Sequence, residues 1–146
     1  MIDQFKDEHR WLSNFWFFDK PMQYQGMPFV TNEHFYVAMK TKDVTIRKQV
    51  SGHPLKGVKK FGQGIEVRED WDDIKLDVML YGLRYKFSES NPKLRQQLLA
   101  TRDCHIQEGN YWNDVFWGVC LKTDIGENNL GKLLMQVREE IKNAST

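Results

Sequence analysis

The chain has 146 residues, with 21 Lys plus Arg against 20 Asp plus Glu and a net charge of +1. These totals argue against a polybasic nucleic-acid or membrane-surface protein and leave room only for a local basic patch. The length suits one domain with a full hydrophobic core. Cys104 and Cys120 lack CxxC spacing, Met1 to Arg10 are charged rather than apolar, and no apolar run is long enough to cross a bilayer. A reduced cytoplasmic protein without a disulfide framework, signal peptide or membrane span is expected.

In chain order, Trp11 to Phe18 followed by Pro21, the alternation Met22-Gln23-Tyr24, the Gln25-Gly26 turn and Pro28 predict a short hairpin with its prolines at edges or ends. Thr31 is placed to cap a helix that begins at Asn32 and runs through Phe35, Ala38 and Met39 toward Lys42. A second helix is expected over about Thr45 to Val50, ended by Ser51-Gly52-His53-Pro54. Gly62-Gln63-Gly64 reads as a plain loop, being neither a P-loop nor a GxGxxG turn. Trp71, Ile74, Val78, Tyr81 and Tyr85 recur at near-helical spacing and predict a long helix from Trp71 to Phe87. Asn91-Pro92 opens a further helix that carries Leu94, Leu98 and Leu99 and stops near Thr101. Leu130, Leu133, Leu134, Val137 and Ile141 form one apolar stripe of a C-terminal helix, with Arg138, Glu139 and Lys142 mostly opposite. The fold class is mainly α, with a small β-hairpin element and no linker or repeat dividing residues 1–146.

The segment Tyr111-Trp112-Asn113-Asp114-Val115-Phe116-Trp117-Gly118 sets one acid between two tryptophans and beside a glycine. It reads either as a wall that grips a planar heterocycle, with a poorly solvated carboxylate, or as core aromatics with Asp114 capping a turn. Glu33, Tyr36, Val37 and Lys40 fall on one helical face, so an acid and a lysine can line one pocket, the alternative being a solvated face. His34 points elsewhere, in keeping with a structural hydrogen bond. His9, His34, His53 and His105 show no zinc-site spacing, alone or with the cysteines, so no metal or cofactor is expected. No Ser or Cys nucleophile signature is present. Lys56, Lys59, Lys60, Arg84 and Lys86 are cations for a phosphate or for ordinary surface pairs. Asn14 and Asn128 sit at aromatic- or glycine-rich junctions, where amides bond a ligand or cap a helix. Capping is the stronger explanation for Asn128 and Asn129.

Leu12-Ser13-Asn14-Phe15, Thr31-Asn32-Glu33-His34 with Tyr36 and Lys40, Trp71, Leu83-Arg84-Tyr85-Lys86-Phe87, Leu98-Leu99-Ala100-Thr101, Asp114 with Trp117-Gly118, and Gly126-x-Asn128-x-Leu130-Gly131 before Leu133-Leu134-Met135 follow one another along the chain. This order resembles the NADAR, or YbiA-like, family over nearly the whole length. The resemblance implies a mainly α fold and hydrolysis of N-glycosidic bonds at ribose. Its implied substrates are phosphorylated ribosylamino-pyrimidines of riboflavin biosynthesis or guanine bases, free or in nucleic acid, that carry ADP-ribose. It implies Glu33, Lys40 and Asp114 as catalytic residues. For substrate binding it points to Arg10, Ser13, Asn14, Phe15, His34, Tyr36, Trp71, Arg84, Lys86, Trp117, Gly118 and Asn128. Asn32 departs from the Ser, Val or similar residue that often precedes Glu-His, and Val37 from a common Gln; the loss of that amide bears on substrate subtype more than on the reaction. A module that binds ADP-ribose, NAD or a modified nucleotide without turnover is the alternative function.

Overall fold

The structure is a computed structural model and describes residues 1–144. It divides into two compact units, residues 14–91 and residues 1–13 with 92–144. The described secondary structure is mainly α, with one antiparallel hairpin and one short parallel ladder.

The unit of residues 14–91 starts with strands β1 (Phe17–Tyr24) and β2 (Met27–Thr31). Gln25 and Gly26 both have positive φ, at 50° and 78°, the backbone of the tight turn whose twist matches the strands it joins. Tyr24 pairs with Met27 and Met22 with Phe29; the register shifts between Phe17 and Met22. Pro21 lies within that irregular stretch, where a missing N–H breaks no regular ladder. Met27, Phe29 and Thr31 alternate inward, and Phe18 and Met22 are buried from β1.

Helix α1 (Asn32–Ala38) follows β2 without a loop. It is shorter than the sequence suggests. Lys40 N bonds Val37 O at 3.2 Å, and Lys40 O then accepts from Arg68 N at 2.7 Å, so the chain tightens and leaves the helix before Lys42. Helix α2 (Val44–Ser51) is capped by Asp43, whose Oδ1 accepts from Thr45 N and Ile46 N at 2.8 and 3.3 Å. The expected loop at Gly62 is instead the end of a six-residue helix, α3 (Val58–Gln63), too short to show periodicity, with Gly62 packed on Val37. Helix α4 (Trp71–Lys86) matches its expected span to one residue.

In the other unit, a 3-10 turn covers Asp7–Leu12, so Trp11 and Leu12 stand before the hairpin rather than in it. Helix α5 (Pro92–Ala100) opens on its proline. Strands β3 (Gly109–Asn110) and β4 (Val119–Cys120) make a two-residue parallel ladder that no sequence period announces. Helix α6 (Asn129–Ala144) buries Leu130, Leu134, Val137 and Ile141, and Leu94, Leu98 and Ile106 complete that unit's core. Arg138 corrects the expected polar face. It is buried, and its guanidinium donates to Thr101 Oγ1 at 3.0 Å and Cys104 O at 2.8 Å, bonds that offset the cost of desolvating a charge.

Candidate active site

Within residues 14–91, the expected site residues gather around the start and end of α1. Thr31 caps the helix by accepting from His34 N at 3.1 Å. Glu33, in the first turn and half-buried, donates its backbone N–H to Asn14 O at 3.0 Å. Lys40 lies just past the helix end, with Nζ 5.9 Å from the Tyr36 ring centroid and 3.4 Å from Gly62 O. Burial holds the Lys40 ammonium below the ordinary lysine range; the Glu33 carboxylate opposes that shift and Lys59 adds to it. An acid and a lysine are therefore electrostatically coupled across the length of α1. Tyr36 is buried and packs on buried Trp71, ring centroids 5.0 Å apart at 58°. Val37, expected on the same face, is wholly buried against Gly62 and offers nothing to a ligand.

His34 takes the structural role. Its Nε2 lies 2.8 Å from His53 O and its Nδ1 2.6 Å from Thr31 Oγ1. A carbonyl only accepts, so Nε2 carries the proton and Nδ1 accepts from the Thr31 hydroxyl. Burial pushes its pKa down, against the backbone bond to His53 and together with the His53 charge. As His34 is wholly buried, its ring braces α1 instead of lining a ligand surface.

Of the expected phosphate cations, Arg84 is exposed on α4, whereas Lys86 is wholly buried. Its ammonium sits 5.3 Å from the Phe87 ring centroid, and burial lowers its pKa to about 7. Lys86 is thus no surface cation: one turn-fraction beyond Arg84, the helix has rotated it into the core. Asn14 is buried too, and its amide faces Asn32 and Met79, while Phe15 beside it is exposed. Thr31, Asn32 and His53 were not singled out as site residues by the sequence; the Thr31 cap four residues before a buried aromatic run was the available signal.

The other unit holds Arg10, Ser13, Asp114, Trp117, Gly118 and Asn128. Arg10 is exposed and its carbonyl accepts from Ser13 N at 3.0 Å. Asp114 Oδ1 accepts from Phe116 N at 3.2 Å and Trp117 N at 3.0 Å, the turn-capping geometry, and Asn110 brackets the same turn through Asp114 N and O. The second carboxylate oxygen is left for other partners. Trp117 is half-buried and meets Phe116 edge-on at 4.8 Å, while Trp112 is 64% exposed and so is not core. Asn128 corrects the capping expectation. It has φ +55°, and its Oδ1 accepts from Glu108 N at 2.9 Å while its Nδ2 donates to Ile106 O at 3.0 Å. The side chain stitches a loop instead of capping α6. Asn129 Nδ2 likewise donates to Phe116 O, and Gly118 O accepts from Asn128 N.

A half-buried carboxylate and a charge-coupled lysine are thus spaced along one short capped helix of a mainly α protein. A family profile described as the NADAR domain matches residues 2–142. The chain belongs to the NADAR family. It is 34% identical over 140 residues to a riboflavin biosynthesis protein of Vibrio vulnificus, a match covering 92% of this chain and 36% of that one. The chain therefore spans about a third of that relative. It is 32% identical over 124 residues to N-glycosidase YbiA of Escherichia coli, covering 83% of this chain and 76% of YbiA. The NMR structure of E. coli YbiA superposes with a TM-score of 0.83 at 30% identity, over 99% of this chain and 89% of that one. The YbiA fold is thus shared.

Proposed function

We propose that this chain is an N-glycosidase that hydrolyses the C1–N bond between ribose and a base or exocyclic amine. The observation that carries the proposal is the partly buried Lys40, its ammonium destabilised by desolvation and coupled to Glu33. An amine shifted this way is unprotonated more of the time and serves as a nucleophile. In the proposed reaction the Lys40 amine forms a bond to C1, and the departing base nitrogen leaves with the C1–N electron pair. The proton lost by Lys40 is passed to that nitrogen, with Glu33 as the carrier. Ring opening then breaks the C1–O4′ bond, O4′ keeping the electron pair and taking a proton from water, and gives a protonated imine between Lys40 and C1. Water adds at C1 and expels the amine, restoring the enzyme. Throughout, the Glu33 carboxylate stabilises the positive charge that develops at C1. The relative named N-glycosidase YbiA supports cleavage of an N-glycosidic bond.

Borohydride added during turnover is expected to trap one substrate-mass adduct on Lys40, and Lys40→Ala to lose both the adduct and about two powers of ten or more in rate. Near-normal turnover by Lys40→Ala excludes the lysine route. The rate of the wild-type enzyme should rise with pH through the lowered lysine pKa, because only the neutral amine attacks. Tight ligand binding with no base released over hours would identify a binding module instead.

The substrates we propose are ADP-ribosylated guanine and phosphorylated ribosylamino-pyrimidines. Arg10 in one unit and Lys60 and Arg84 in the other are exposed, whereas Lys86 is wholly buried. With near-neutral total charge, tight binding to extended nucleic acid lacks the several phosphate contacts that supply it. A free ADP-ribosyl-guanosine is therefore expected to be cleaved within roughly tenfold of the efficiency seen for an oligonucleotide with the same linkage. Mass analysis of both reactions decides it. Efficient cleavage of single-stranded DNA alone, falling steeply with salt, would show an additional nucleic-acid groove.

A further inference from the structure

Asn32 opens α1 and is wholly buried, an unusual place for an amide. Its Nδ2 donates to Asn14 Oδ1 at 3.0 Å and lies 3.3 Å from Met79 Sδ. Its Oδ1 is the one buried side-chain oxygen or nitrogen among the described residues with no hydrogen-bond partner. That oxygen is pressed against α4 at Gly82, where an added Cβ would stand 1.7 Å from it. The amide orientation is set by its neighbours: turned over, the carbonyl would face an amide oxygen and a thioether sulfur, both acceptors.

An orphaned carbonyl in a core is costly, and an apolar side chain would fill the same space without that cost. What the amide provides is its donor. The next residue, Glu33, donates its backbone N–H to the carbonyl of the same Asn14. Asn14 is therefore held twice, by side chain and by main chain, from two consecutive residues of α1. The two bonds close a small ring through the Asn32–Glu33 peptide, and that ring fixes the backbone from which the Glu33 side chain projects. Gly82 admits the ring by letting α4 approach without a side chain.

We propose that Asn32 is a positioning residue for Glu33, acting through its amide bond to Asn14 and through the space left by Gly82. This rests on the glycosidase reading above, in which Glu33 handles the proton and the charge at C1. Asn32 itself touches no substrate. Holding a reacting group within a fraction of an ångström is worth a large share of rate, whereas substrate affinity is set elsewhere.

The test is Asn32→Ser, made alone and together with Glu33→Gln, with kcat and KM measured on ADP-ribosyl-guanosine and with thermal unfolding of each protein. Serine is too short to reach Asn14; it removes the orphaned carbonyl but leaves a small space, and these effects on stability oppose one another, so the protein should stay folded. Alone, the change should lower kcat by about 10- to 100-fold with KM little altered. In the Glu33→Gln background it should cause no further loss, since the two residues act as one unit. Wild-type kcat in Asn32→Ser, or an equal loss in both backgrounds, overturns the proposal. Should Asn32→Ser fail to fold, Asn14→Ala removes the same bond from its other partner and enters the same comparison, with the same two outcomes deciding. If Glu33→Gln itself turns over like the wild type, Glu33 leaves the mechanism and the positioning role of Asn32 is overturned with it, whereas a wild-type protein that releases no base overturns the glycosidase reading itself.

Discussion

Glu33→Gln is expected to lower turnover by roughly two or more powers of ten while leaving ligand binding and the fold largely intact. Glutamine keeps the shape and the backbone bond to Asn14, so α1 should form as before. Only the charge is lost. Glu33 lies in the first turn of α1, where a carboxylate is stabilised by the free N–H groups of the helix start, worth roughly 0.3–1 kcal/mol; a change of that size leaves the protein folded. The substitution has a second consequence. The Glu33 carboxylate raises the Lys40 pKa against the lowering by burial, so its removal lets the lysine pKa fall further. Any residual lysine-dependent rate should therefore reach its plateau at lower pH than in the wild type. Steady-state kinetics across pH, with calorimetric binding on the same variant, check both parts. Wild-type turnover would remove Glu33 from the mechanism.

Lys86→Met should abolish a pH dependence of stability that the wild type carries between about pH 7 and the unfolded lysine range. Burial penalises the charge of folded Lys86 and lowers its pKa to about 7, well below the ordinary lysine value of 10.5. Between those values the unfolded chain binds a proton that the folded chain does not, so stability rises with pH there. Below about 7 both states are protonated and the full penalty applies. Above the unfolded value neither is charged and the penalty is gone. At ~1.4 kcal/mol per pKa unit, raising the pH from 7 to about 9.5 should stabilise the wild type by roughly 3 kcal/mol relative to Lys86→Met. Denaturant unfolding of both proteins at the two pH values measures the difference. Equal slopes for the two proteins would mean that Lys86 stays charged inside the fold.

These two residues illustrate what a linear reading resolves. Glu33 was legible because a cap, an acid and a following aromatic run mark a helix start whatever surrounds it, and Thr31 does cap α1. Lys86 was not, since a lysine at a helix end has the same local pattern whether it meets solvent or core. Trp117 and Asp114 show the same divide. Their spacing announced a compact aromatic turn, but that one carboxylate oxygen is occupied by the turn's own amides depends on the backbone conformation of residues 113–117.

From sequence alone came the mainly α class, the hairpin with its Gln25-Gly26 turn, the spans of α4 and α5, the existence and apolar stripe of α6, and the order of motifs that identifies the family. All of these rest on local periodicity, turn chemistry and capping, which operate within a few residues. Tertiary structure alone decided the early end of α1, the short α3, the parallel ladder of β3 and β4, the burial of Lys86 and Arg138, and the ring of Asn14, Asn32 and Glu33 against Gly82. Each of those depends on groups tens of residues apart competing for the same space and the same hydrogen bonds, and such competition leaves no period in the chain.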